Sequence, residues 1–198
     1  MISEDLLAQN GASEKRLKKN EILFSEGQTA SFYYQVKSGK IKMNNYNNEG
    51  REFIQRIFQK GQSFGEPPLF GNWTYPANAV AVTDCSIWRL ERSRFIEMLL
   101  QNPKAHLDLT THISERLYYK ATIAAEMSTN GPEQRILTLL NYVKSNVHKL
   151  DNKSDCEIDL TRQQIGDLTG LRVETTIKAI KRLEEQGKLQ IKNRKVII

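Results

Sequence analysis

Residues 161–190 read TRQQIGDLTGLRVETTIKAIKRLEEQGKLQ, two runs of helical spacing on either side of Gly170. Thr161 and Gln164 form a T-x-x-Q capping box: the Thr hydroxyl can accept from the Gln164 amide while the Gln side chain reaches back. A first helix running to about Thr169 buries Ile165 and Leu168, and Gly170 supplies the left-handed backbone of a tight turn. A second helix from near Arg172 to Gln186 turns Ile177, Ile180 and Leu183 inward and stops at Gly187. Two short helices joined by a Gly turn describe a helix-turn-helix, whose second helix enters the major groove with its N-terminal residues toward base edges. The outward residues are then Arg172, Val173, Glu174, Thr175 and Lys178. Glu can accept from a cytosine amino group, Lys can donate to guanine, and Val can touch a thymine methyl.

The same spacing also describes a helical hairpin that merely packs, so the flanking sequence has to decide. KLQIKNRKVII (188–198) reads as a β-hairpin turning near Asn193-Arg194, a basic wing suited to phosphates. Residues 172–198 hold eight Lys/Arg against three acids, +5 of the chain's net charge of +6. A basic helix and hairpin are the electrostatic footprint of a phosphate-backbone contact. The DNA-facing set is accordingly Thr161, Arg162, Gln163, Arg172, Val173, Glu174, Thr175, Lys178, Lys181 and Arg194.

Upstream the period changes. EILF (21–24), SFYYQV (31–36), KIKMNNY (40–46), EFIQRIF (52–58), ANAVAV (77–82) and CSIWRL (85–90) are short apolar or alternating runs split by turn residues such as Lys37-Ser38-Gly39 and NNEG (47–50). Strands at this spacing predict an antiparallel barrel or jelly roll. SRFIEMLLQN (93–102) reads as a short helix starting at Ser93, and Pro103 opens a long one reaching about Ser128. Ile113, Leu117, Ala121, Ala124 and Met127 fall on one face of it. That stripe either covers the barrel or pairs with a second copy, and a helix of some 25 residues needs more partner than one side of a small barrel offers. Asn130-Gly131-Pro132 marks a break, PEQRILTLLNYVKSNV (132–147) is amphipathic, and HKLDNKSD (148–155) reads as a loop. The expected fold class is α+β, with a jelly-roll domain over 1–102, a long dimerisation helix and hinge over 103–130, and a winged helix-turn-helix over 131–198.

LTRQQIGDLTGLRVETTIKAIKRLEEQGKL closely resembles the helix-turn-helix of the cyclic-AMP receptor protein/FNR family of bacterial transcription regulators. EILFSEGQTASFYYQVKSGKIKM resembles the opening strands of that family's cyclic-nucleotide-binding jelly roll, and GQSFGE and VTDCSIWRL fall at similar segments, so the likeness spans about residues 15–198. It implies a homodimer on a roughly palindromic operator, in contact with RNA polymerase. Glu174 matches the family's base-reading Glu, and Lys178 stands where an Arg usually reads guanine. Val173 matches the Val-Glu pair of the FNR branch, which implies an FNR-like half-site.

The effector pocket that the resemblance implies maps to Gly65, Glu66, Tyr75, Pro76, Ala77 and Lys120 in degenerate form. Gly65-Glu66 keeps the pair that holds the ribose, but Pro67-Pro68 follows and removes two amide donors. Tyr75-Pro76-Ala77 replaces the Arg-Ser-Ala that grips the cyclic phosphate, and Lys120-Ala121 replaces the Thr-Ser that reads adenine. Cyclic AMP is therefore not expected as effector, and no other effector is identified.

Two cysteines, Cys85 and Cys156, cannot make a four-thiolate cluster, and they fit a reducing, cytoplasmic setting. No His falls within 21–90, against a jelly-roll metalloenzyme, and no Ser/His/Asp set, carboxylate pair or P-loop is visible. No catalytic residue, metal or cofactor is expected, no apolar run reaches 18 residues, and MISEDLLAQN is not a secretory signal. The competing reading is a ligand-binding signalling module with a vestigial helix-turn-helix.

Overall fold

A computed structural model describes the backbone of residues 1–129, 131–147 and 155–198, and their side chains apart from residues 119, 122–129, 146 and 147. The expected stop at Asn130, most of the 148–155 loop and the side chains of Ala124 and Met127 thus lie outside the described residues. The chain divides into two compact units, Met1–Leu117 and Tyr118–Ile198.

In the first unit α1 (Glu4–Gln9) leads into β1 (Ser13–Leu17), followed by β2 (Ile22–Phe24), β3 (Phe32–Ser38), β4 (Ile41–Tyr46), β5 (Glu52–Phe58) and β6 (Ser63–Phe64). A short helix α2 (Pro67–Gly71) precedes β7 (Asn78–Ala81) and β8 (Cys85–Glu91). Two four-stranded antiparallel sheets result, in the orders β1-β8-β3-β6 and β2-β7-β4-β5. Apart from the hairpin of β4 and β5, consecutive strands alternate between the sheets, as in a jelly roll. The side chains facing inward build one core that includes Phe24, Tyr33, Ile41, Phe64, Ile87 and Leu90.

Helix α3 (Arg92–Gln101) begins one residue before the expected Ser93, with Glu91 at its N-cap and no side-chain cap bond. It buries Phe95, Met98 and Leu99, and Phe95 stacks on Tyr33 at 4.5 Å between ring centres. The long helix α4 runs Pro103–Thr129. Leu109 is buried, Ile113 packs against the roll's core, and Arg116 reaches Glu66. These positions recur at four and three residues, so they form the covered face of α4. Ile113 therefore turns to the roll, whereas Leu117 and Ala121 are exposed. Leu107 and Tyr118 join them on the uncovered side, 67% and 79% exposed.

In the second unit, α5 (Pro132–Tyr142) starts with Pro132 at its first position behind an extended Gly131, and one π-helical turn (Val143–Val147) follows it. Ile136, Leu139 and Leu140 pack with Cys156, Ile158, Ile165, Ile180 and Leu183 in a second core. Then come β9 (Glu157–Ile158), α6 (Arg162–Thr169), α7 (Val173–Glu185), β10 (Gln190–Lys192) and β11 (Lys195–Ile197). The three strands form an antiparallel sheet in the order β10-β11-β9.

Candidate functional site

The start of α6 is fixed by the bonds its sequence dictates. Thr161 Oγ1 accepts from the Gln164 amide at 3.1 Å, and Gln164 Oε1 accepts from the Thr161 amide at 2.9 Å. Thr161 and Gln163 are exposed, whereas Arg162 is half-buried, and burial pulls its guanidinium pKa below the ordinary Arg value while Glu184 opposes the shift. Gln163 spends its side chain on the buried Asp167, donating to Oδ1 at 2.8 Å.

The helix stops at Gly170, whose φ of 69° is left-handed, and the Leu171 amide donates back to the Gly166 carbonyl at 2.9 Å. A Cβ on Gly166 would sit 2.9 Å from the Leu171 carbonyl oxygen and 3.1 Å from Thr176 Oγ1. The missing side chain is what lets α7 start so close to α6.

Arg172 caps α7 with extended backbone, and Glu174 stands in the first turn, where a carboxylate complements the helix dipole. The inward face of α7 is Thr176, Ala179, Ile180 and Leu183. Ile177, expected inward, is instead half exposed, and its place in the core is held by Thr176. That buried hydroxyl is satisfied by donating to the Arg172 carbonyl at 3.1 Å, so a polar residue can occupy the position. Arg172, Glu174, Lys178 and Lys181 are exposed, and Val173 and Thr175 are half-buried beside them.

The wing turns at Asn193-Arg194, both with positive φ (50° and 65°), the backbone of a two-residue hairpin turn. Arg194 is exposed at its tip. Glu184 on α7 accepts from the Ile191 amide at 3.0 Å, and Lys195 pairs with Asp159 at 2.8 Å, which fixes the wing to α7 and β9. One continuous unit thus carries exposed cations on its second helix and at its wing tip.

In the first unit, Gly65 lies against Tyr75, while Glu66 and Ala77 are buried in the same unit. Tyr75 is buried, lies 3.7 Å from Phe24 in a near-parallel stack, and donates from its hydroxyl to the Phe32 carbonyl at 3.2 Å. Burial, with Tyr34 nearby, pushes the Tyr75 phenol far above its usual pKa, so the ring is neutral. Phe24 also stacks on Tyr34 and Phe64, making a four-ring cluster. A Cβ on Gly65 would meet both Phe24 and Tyr75 at 3.2 Å, so the rings lie directly against the glycine.

Glu66 is fully buried. Its Oε1 accepts from Arg116 Nη2 at 2.8 Å, while Arg116 Nη1 donates to the Ser63 carbonyl at 3.0 Å. Its Oε2 has no hydrogen-bond partner among the described residues. On the same interior, Tyr33 donates to Gln35 at 2.7 Å, and Gln35 donates to the Ile2 carbonyl at 3.0 Å. Pro76 and Lys120 are exposed, and Lys120 belongs to the second unit. A cyclic phosphate brought beside Gly65 would meet aromatic carbon and a buried carboxylate whose cation is already engaged. Arg116 is the residue that sequence reasoning missed. Its only signal is its spacing, three and seven residues beyond Ile113 and Leu109 on the covered face of α4.

Residues 14–102 match the family model of the cyclic nucleotide-binding domain, and residues 134–198 that of the Crp-like helix-turn-helix domain. The cAMP-activated global transcriptional regulator CRP of Haemophilus influenzae is 26% identical over 178 residues, covering 89% of this chain and 79% of that protein. The transcriptional activator protein Anr of Pseudomonas aeruginosa is 24% identical over 199 residues, covering 100% of this chain and 80% of its own. Among solved structures, the c-di-GMP responsive global regulator CLP of Xanthomonas campestris superposes with a TM-score of 0.76 at 22% identity, covering 98% of this chain and 96% of its own.

Proposed function

The chain belongs to the cyclic-AMP receptor protein/FNR family of DNA-binding transcription regulators, which are not enzymes, and we propose that it works as a homodimer on a roughly palindromic operator without responding to cyclic AMP. The observation that carries the DNA reading is the α6–Gly170–α7 unit itself, locked by its capping box and presenting Arg172, Glu174, Lys178 and Lys181 on the exposed face of α7. In a two-fold dimer two such helices enter successive major grooves about 34 Å apart. Glu174 and Lys178 read base edges there, with Val173 beside them, and the Val-Glu pair favours an FNR-like half-site. Thr161, Arg162, Gln163 and the wing's Arg194 hold the phosphates.

Dimerisation is assigned to α4. Leu107, Leu117, Tyr118 and Ala121 recur at helical spacing on its uncovered side, and Leu117 and Tyr118 are 69% and 79% exposed. A second copy of the same helix would cover them in an isologous contact. Indifference to cyclic AMP rests on Tyr75 and Phe24 filling the space against Gly65 and on Arg116 already neutralising Glu66. Once on DNA, the dimer contacts RNA polymerase.

Operator binding followed as a function of salt tests this reading. Wild-type protein should select one sequence from a random duplex pool and lose affinity steeply with salt, with no change on adding cyclic AMP. Glu174→Gln and Lys178→Met should each reduce discrimination between the operator and its single-base variants about tenfold. Equal, weak binding to all duplexes would favour the signalling module with a vestigial helix-turn-helix.

A further inference from the structure

We propose that Ile177 is a base-reading residue that takes a thymine methyl group in each half-site. The inference rests on α7 being the recognition helix. Among the described residues from Gly131 onward, Ile177 is the one large apolar side chain that is exposed, at 50%. It lies three residues after Glu174, next to Lys178 and four residues before Lys181, at the centre of the charged face of α7. The core has no use for it, because Thr176, Ala179, Ile180 and Leu183 already complete the inward face. An isolated surface aliphatic is ordinary elsewhere on a protein. Here it stands among the groups that would meet base edges.

The major groove offers one apolar feature, the C5-methyl of thymine. A β-branched aliphatic has neither donor nor acceptor and few rotamers to lose, so it can cover that methyl at small entropic cost. Opposite cytosine the same side chain would strip water from the amino group at C4 and return no hydrogen bond, which penalises C over T. Ile177 would thereby discriminate T from C at the base pair it covers in each half-site.

The test uses the full chain and the operator recovered by selection from a random duplex pool. Each thymine of the operator is replaced singly by deoxyuridine, which removes the methyl and keeps every hydrogen-bonding group. For wild-type protein one position per half-site should lose affinity about fourfold on that replacement. Ile177→Ala, at an exposed position that leaves the core intact, should show no loss at that position and a reduced preference for T over C there. The proposal is overturned if wild-type protein tolerates every replacement, or if Ile177→Ala keeps the fourfold loss. A pool from which wild-type protein selects no sequence would instead remove the recognition-helix reading, and the role of Ile177 with it.

Discussion

Replacing Arg116 by Met strips the counter-charge from a carboxylate that has no access to water. Glu66 is fully buried, and the 2.8 Å bond from Arg116 Nη2 and the 3.0 Å bond from Nη1 to the Ser63 carbonyl are both lost in Arg116→Met. The Met side chain replaces much of the aliphatic stem, so packing changes little. Removing one member of a buried pair costs about 3–5 kcal/mol, because the remaining charge is left uncompensated. For a unit the size of Met1–Leu117 that is a fall of roughly 10–20 °C in unfolding midpoint. Both tryptophans, Trp73 and Trp88, lie in this unit, so tryptophan fluorescence during urea titration reports its unfolding selectively. The double variant Glu66→Leu with Arg116→Met removes both charges and should recover most of the loss, giving a coupling of about 2 kcal/mol or more. A cost below about 1 kcal/mol for Arg116→Met, or strict additivity in the cycle, would refute the account of Glu66 as a buried anion dependent on Arg116.

Gly166→Ala should lower the stability of the second unit by about 2 kcal/mol, read by far-UV circular dichroism, because its Cβ would press on the Leu171 carbonyl 2.9 Å away; an unchanged midpoint would mean that α7 can back off freely. Burial pushes the Cys85 thiol up to about 11 and raises Cys156 as well, so neither should react with iodoacetamide at pH 8 until urea unfolds the chain. Mass spectrometry of the native protein showing rapid labelling would contradict this. The Lys37 ammonium, which donates to Glu14 Oε2 at 2.6 Å, pulls Glu14 from 4.5 down to about 2. Its carboxylate therefore favours the folded state above pH 4.5, and that contribution disappears as pH falls toward 2. Lys37→Met should flatten the fall in urea midpoint over that window.

The alternation of SFYYQV, KIKMNNY and EFIQRIF is enough to find the strands that face one core, and the T-x-x-Q box and Gly170 delimit α6 within a residue. Other elements leave no such trace. SEKRL of β1 buries only Leu17 and is held by pairing with β8, a partner some 70 positions away in the chain. SF of β6 is too short to show a period. On α7 an apolar residue at helical spacing points inward by default, yet a hydroxyl that satisfies itself on its own backbone took that place, so Ile177 was left outside. Helix α4 carries apolar residues on two faces, and periodicity cannot say which face the roll covers. The ion pair of Arg116 with Glu66, 50 residues apart, follows from tertiary structure alone.

The wing turn illustrates a choice between conformational ease and charge. Asn193-Arg194 holds two left-handed residues where Asn-Gly would be the comfortable pair, and for a side chain such as Arg that backbone costs about 1 kcal/mol. A Gly at 194 would relax the hairpin and erase the cation. Keeping Arg there leaves the guanidinium on a backbone with almost no freedom left to lose, so docking it against an anion orders only the side chain. The strain is thus a form of preorganisation: stability is surrendered in the free protein, and less entropy is lost on contact.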